Sequence, residues 1–185
     1  MLQVEAAPSP RTAVLEASYE EIYREHFDFV WRNVRRLGVP EASADDAVQD
    51  VFVVVHRRLA EFEGRSSIRT WLFGILARVA RDHRRTQARQ TIKTVAMAAE
   101  AGPEPAPTPA DLAVRREAAQ ILEELLGQID DEKREIFVLV ELEQMSVADV
   151  ADALSLNVNT THARLRAARQ QFEAAVARFR AREKK

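Results

Sequence analysis

Four prolines at alternate positions, Pro103, Pro105, Pro107 and Pro109, constrain this chain more than any other feature. Proline has no backbone donor and its ring clashes with the preceding turn, so no helix crosses this stretch. Gly102 and several alanines surround the prolines, and none of these residues offers apolar surface worth burying. Residues 94–110 read as a flexible linker. The 185 residues therefore form two small domains, one on each side of it.

Both sides are patterned for helices. Ala, Arg, Glu, Val and Leu dominate and Gly is scarce, which favours helix over strand. Residues 1–17 hold Pro8 and Pro10 and show little periodicity, so they are expected to be a mobile tail. A first helix is predicted from Ser18, with Glu21 completing a capping box. Its stripe is Tyr19, Ile22, Tyr23, Phe27, Val30, Val34 and Leu37, and Gly38 and Pro40 end it. A second helix is predicted from Ser43, with Asp46 as capping partner, burying Ala47, Val48, Val51, Phe52, Val55 and Leu59. Gly64 breaks the chain. A third helix starts near Ser67 and buries Ile68, Trp71, Leu72, Ile75, Leu76 and Val79. Trp71 suggests a stacking platform, but its place in the apolar stripe assigns it to the core. Gly74 inside this helix costs roughly 1 kcal/mol against Ala, and close packing is the one reason the sequence offers.

The second half opens near Asp111, with Leu112, Leu122, Leu125, Leu126 and Ile129 as apolar positions. A further helix is predicted from Asp131 to Leu142. Ser146 and Asp149 form another capping box, opening a short helix with Val147, Val150, Ala151 and Leu154. Ser155 and Leu156 make a turn. Asn157 caps a last helix with Val158, Thr161, Leu165, Ala168 and Phe172. A short helix, a tight turn and a longer basic helix form the helix-turn-helix pattern.

Charge is segregated although the net charge is only −2. One basic block contains Arg65, Arg69, Arg78, Arg81, Arg84, Arg85, Arg89 and Lys93, with Asp82 as its one acid. A second contains Arg164, Arg166, Arg169, Arg178, Arg180, Arg182, Lys184 and Lys185. Two such blocks, each after an acidic segment, point to two contacts with a polyanion. The absence of Cys excludes disulfides, Cys-ligated zinc and thiol nucleophiles. The His residues at 26, 56, 83 and 162 have no metal-type spacing, and no phosphate loop or nucleophile motif occurs. No enzyme activity and no cofactor are expected. The chain has no apolar run long enough for a membrane span and no secretion-type start, so a cytoplasmic location is expected.

The stretch DDAVQDVFVVVHRRLAEFEGRSSIRTWLFGILARVARDHRR resembles region two of the extracytoplasmic-function sigma factors. The stretch IDDEKREIFVLVELEQMSVADVADALSLNVNTTHARLRAAR resembles their region four. The resemblance implies an all-helical, two-domain RNA polymerase subunit, with region two over 18–93 and region four over 111–180. Region two would dock on core RNA polymerase through Asp46, Gln49 and Asp50. It would capture the minus-ten promoter element as single-stranded DNA through Arg65, Ser66, Ser67, Arg69, Arg78, Arg81, Arg84 and Arg85. Region four would read the minus-thirty-five element as duplex through Asn159, Thr160, His162, Ala163, Arg164, Arg166 and Arg169. An anti-sigma factor is an implied partner. The sequence departs from the family pattern at Ser155, where Gly is common, and at Asn157, Thr161 and His162.

An extended chain from Thr86 to Ala110 would reach roughly 80 Å. Promoter elements two duplex turns apart are separated by roughly 70 Å. Large relative motion of the two domains is therefore expected. Two other readings fit parts of the pattern: a single-site helix-turn-helix regulator, and a helical protein-interaction module that does not bind DNA.

Overall fold

A computed structural model of the chain describes residues 10–64, 66–94 and 110–183, with side chains over 18–64, 66–87 and 117–182. Seven α-helices follow in order among the described residues: α1 (Pro10–Arg36), α2 (Ala44–Arg58), α3 (Ile68–Thr94), α4 (Ala110–Gly127), α5 (Asp131–Phe137), α6 (Val147–Ala153) and α7 (Val158–Glu183). No strand occurs among the described residues.

The first three helices pack on one another through the predicted stripes. Val30, Val34, Leu37, Val51, Val55, Leu72 and Leu76 are fully sequestered from water. Burying an aliphatic side chain of this size contributes about 1.5–3 kcal/mol, so this layer holds the bundle. Gly38 ends α1 in a left-handed turn, φ +84°, and the Val39 N–H returns to the Val34 carbonyl at 3.3 Å.

One predicted start and one predicted cap are not found. The first helix begins at Pro10 rather than Ser18, so residues 10–17 of the expected tail are helical. Proline is accommodated in a first turn, where its missing donor has no partner to lose. Ser43 precedes α2, yet its side chain does not cap it. Its hydroxyl instead accepts from Gln87 Nε2 on α3 at 2.8 Å. The caps at Ser146 and Asn157 match: Ser146 Oγ accepts from Asp149 N at 3.1 Å and Asn157 Oδ1 from Asn159 N at 2.8 Å; Ser67, where the third helix is expected to start, also caps it, its Oγ accepting from Thr70 N at 3.1 Å. The prolines of the expected linker lie outside the described residues. Because residues 86–94 belong to α3, that part of the reach advances about 1.5 Å per residue instead of about 3.4 Å.

In the second half, α5 continues as a π-helical segment, Val138–Leu142. The extra residue per turn carries Glu143 inward, with its N–H bonded to the Val138 carbonyl at 3.0 Å. Gln144 and Ser155 take positive φ, 56° and 54°. The helix-turn-helix is formed by α6 and α7, and Phe172 of α7 packs on Phe137 of α5 with centroids 4.8 Å apart.

The two halves are packed together, contrary to the expectation of independently moving domains. One buried apolar cluster includes Leu37, Phe73 and Leu76 from the first half and Leu126, Ile136 and Leu139 from the second. Residues 134–139 are all buried, because α7 covers one side of this helix and the first half covers the other. Gly74 finds its explanation here. A β-carbon on it would lie 3.1 Å from the Ala153 carbonyl oxygen, so glycine lets α3 and α6 approach backbone to backbone.

Candidate nucleic-acid interface

The site residues fall on three surfaces. The first is the outer face of α2. Asp46, Gln49 and Asp50 are exposed on it, opposite the buried Ala47, Val48 and Val51. Asp46 and Gln49 make no side-chain bond among the described residues, whereas Asp50 Oδ2 meets His83 Nε2 at 2.8 Å. The alternation of buried and exposed positions follows from the helical period, so these polar groups share one accessible strip.

The second surface is the start of α3 and its outer face. Arg65 lies outside the described residues. Ser66 is half-buried and its hydroxyl reaches only the Ser67 carbonyl, at 3.5 Å. Ser67 caps α3 and also meets the Thr70 hydroxyl at 2.8 Å, so its side chain is occupied by the helix start. Trp71 is half-buried with its ring 5.1 Å from Phe62, which supports its assignment to packing. It borders a groove of about 710 Å³ that Asp152 of α6 and Ser155 of the following turn help to line.

The expected strand-holding arginines divide into two sets. Arg78 and Arg85 are exposed and make no ion pair among the described residues. Arg69, Arg81 and Arg84 turn to the other half. Arg69 Nη2 meets Glu143 Oε2 at 2.5 Å while its guanidinium lies over the Phe29 ring at 4.8 Å. Arg81 Nη2 meets Glu135 Oε2 at 2.7 Å, and this hydrogen bond holds its pKa above the ordinary value. Arg84 meets Glu135 at 3.4 Å and Asp131 at 3.2 Å. In this arrangement these three are not free to track a backbone.

The acids that hold them were not singled out in the sequence. Glu143 and Glu135 have side chains only 3% exposed. Glu143 also receives Arg36 Nη1 at 2.6 Å, Asn33 Nδ2 at 3.1 Å and Arg32 Nε at 3.5 Å. Burial lowers the pKa of Arg36, and the Glu143 carboxylate opposes that effect. Arg134 is a further buried cation. It donates to the carbonyls of Leu37 at 3.2 Å and Ile129 at 2.9 Å, joining both halves.

The third surface is the start of α7. Asn159, Thr160, His162, Ala163 and Arg166 are all exposed, and Thr161 and Leu165 are buried beneath them. The Thr161 hydroxyl donates to the Asn157 carbonyl at 3.1 Å, which fixes the first turn. Arg166 makes no ion pair among the described residues. Arg164 pairs with Glu132 at 2.7 Å and Arg169 with Glu141 at 2.6 Å, so both are tethered to α5 and its π-helical extension. An exposed helix N-terminus bearing short polar side chains can approach base edges, and its free N–H groups favour a phosphate. Among the described residues no cluster of His, Asp or Glu suits a metal ion, and no helix is long and apolar enough to cross a membrane.

Comparison with known proteins agrees with this division. Residues 22–90 match the family model "Sigma-70 region 2" and residues 119–172 match "Sigma-70, region 4". The chain is 30% identical over 161 residues to the RNA polymerase sigma factor NccH of Alcaligenes xylosoxydans xylosoxydans, covering 85% of this chain and 86% of that one. It is 26% identical over 142 residues to the ECF RNA polymerase sigma-E factor of Escherichia coli K12, covering 73% and 74%. The solved structure of CnrH in complex with the cytosolic domain of CnrY superposes with a TM-score of 0.65 at 26% identity, covering 88% and 89%. With both signature regions present in order and relatives of this group matched along most of their length, the chain belongs to the extracytoplasmic-function sigma factors, which direct promoter-specific initiation of transcription.

Proposed function

We propose that the chain binds core RNA polymerase through the α2 strip of Asp46, Gln49 and Asp50 and recognises a promoter at two separate places. Arg65, Ser66, Ser67, Arg69, Arg78, Arg81, Arg84 and Arg85 take the melted minus-ten strand. Asn159, Thr160, His162, Ala163 and Arg166 read the minus-thirty-five duplex, with Arg164 and Arg169 contributing positive charge at its backbone. The observation that carries this reading is the start of α7, where short polar side chains are exposed in a row above a buried anchor. That geometry suits insertion of a helix N-terminus into a major groove.

The chain supplies specificity and no catalysis, and it acts in the cytoplasm with the polymerase. An anti-sigma protein is its regulatory partner. Support comes from the CnrH likeness, since CnrH was solved with the cytosolic domain of CnrY bound.

A competition assay tests the polymerase contact. Gln49→Ala with Asp50→Arg is expected to lose competition for core enzyme while keeping its helical content, because both side chains are exposed. Unchanged competition by a folded variant overturns the assignment. A single-site regulator would not co-purify with core polymerase at all.

A further inference from the structure

The polar groups of the α2 strip differ in how firmly they are held. Asp46 and Gln49 make no side-chain bond among the described residues, whereas Asp50 Oδ2 lies 2.8 Å from Nε2 of His83, a residue of α3. The His83 side chain is 21% exposed and that of Asp50 61%, so the ring is the sheltered member and the carboxylate the outward one. His83 borders a groove of about 380 Å³ between α2 and α3, together with Val54, Val79 and Thr86. β-Branched side chains have few rotamers, so these walls are stiff. Arg57 and Asp82 border the same groove, and neither bonds to the pair among the described residues. An ionised carboxylate has no proton to give, so Nε2 donates and the ring anchors the carboxylate.

We propose that His83 is a positioning residue for polymerase docking, holding the Asp50 carboxylate in the orientation that core RNA polymerase meets. The inference rests on the reading of Asp50 as a docking group and adds the residue that acts through it. Oδ2 is held by the ring, while Oδ1 has no bonded partner among the described residues and is left to a donor on the polymerase.

An exposed side chain that turns freely loses that freedom when a partner orders it, and the loss weakens binding. A carboxylate already held by a neighbour on a packed helix loses less. In sequence His83 stands among the basic residues Arg81, Arg84 and Arg85, yet its ring turns to α2. Its removal is therefore felt when the polymerase is bound and not when the strand is captured.

The test uses the full chain and intact core enzyme. His83→Phe keeps a ring without the donor, His83→Ala removes the ring, and His83→Gln restores an N–H donor. Each variant competes with the wild-type chain for core enzyme, alone and combined with Asp50→Ala. Each is also titrated into transcription from a promoter that the wild-type chain opens. His83→Phe and His83→Ala are expected to bind core enzyme about threefold to tenfold more weakly, and His83→Gln to stay within about twofold of wild type. In the Asp50→Ala background, His83→Phe is expected to add no further loss. With the chain in saturating excess, transcript levels are expected to match wild type. Core binding weakened by Asp50→Ala but not by either donor-free variant overturns the positioning role and leaves the docking reading intact. A loss in His83→Phe that adds in full to that of Asp50→Ala overturns it too, since the ring would then act through another group. So does a defect that persists at saturation, which would place His83 in the DNA steps. Unchanged binding of Asp50→Ala itself overturns the docking role of Asp50 and this inference with it.

Discussion

Gly74 on α3 faces the carbonyl oxygen of Ala153 on α6 so closely that a β-carbon would sit 3.1 Å from that oxygen. The glycine weakens its own helix by about 1 kcal/mol relative to alanine and in exchange lets the two regions meet. Gly74→Ala is expected to leave overall stability within about 0.5 kcal/mol, because the gain in helix propensity offsets the crowding. Gly74→Leu is expected to split one calorimetric transition into two. A single sharp transition in the leucine variant would show that the halves do not unfold as separable units.

Arg134 spans the regions differently, as a hydrogen-bond fork. Its guanidinium donates to the carbonyls of Leu37, Gly127 and Ile129, and burial works against its charge. Arg134→Ala takes the guanidinium away from the Gly127 and Ile129 carbonyls and leaves the Leu37 carbonyl to Arg84 alone, and is expected to cost about 2–4 kcal/mol in urea unfolding. Arg134→Lys is not expected to rescue it, since one ammonium cannot reproduce the fork. Full recovery with lysine would mean that charge alone matters there.

Ser155 sits in the turn of the helix-turn-helix at φ 54°, where a β-carbon is strained. Ser155→Gly is expected to stabilise the fold by about 0.5–1 kcal/mol without changing duplex preference. At the neighbouring cap, Ser146→Ala is expected to cost about 1 kcal/mol, because Ser146 both accepts from Asp149 N and donates to its carboxylate. Thermal melts of the two variants should therefore move in opposite directions.

Burial lowers the pKa of His26 below the ordinary histidine value, with Glu25 opposing the shift and Arg69 reinforcing it. The folded chain then holds fewer protons on this ring than the unfolded chain does. Its contribution to stability is present above the ordinary histidine pKa and is lost as pH falls toward the depressed folded value. His26→Gln is expected to flatten the fall in stability between about pH 7 and pH 5. An unchanged slope would place the titrating group elsewhere.

The helices of each region were legible because each carries one apolar face. The stripe from Val30 to Leu37 and the alternation around Asp46, Gln49 and Asp50 appear where the period puts them. The caps at Ser146 and Asn157 were legible for a similar reason, since capping depends on residues at most three positions away. The seam between the regions was not. Arg134 and Glu135 stand beside Ile136 and Phe137 and carry no apolar signal of burial, yet all four are buried. Their partners lie 51 to 97 positions away, at Arg84, Arg81 and Leu37, and no local pattern encodes a charge paired at that separation. The basic block around Arg81 was legible as a run of like charge. Its occupation by carboxylates from the same chain depends on tertiary packing alone.

Transcription reconstituted from core RNA polymerase and this chain on a promoter library tests the central claim most directly. The account predicts that the chain confers initiation on a defined subset carrying two spaced elements. It further predicts that Arg166→Ala loses discrimination at the upstream element, while Arg81→Ala with Arg85→Ala retains a defect on templates already melted at the downstream one. Initiation no different from core enzyme alone, or the same defect in both variants at every step, would contradict it.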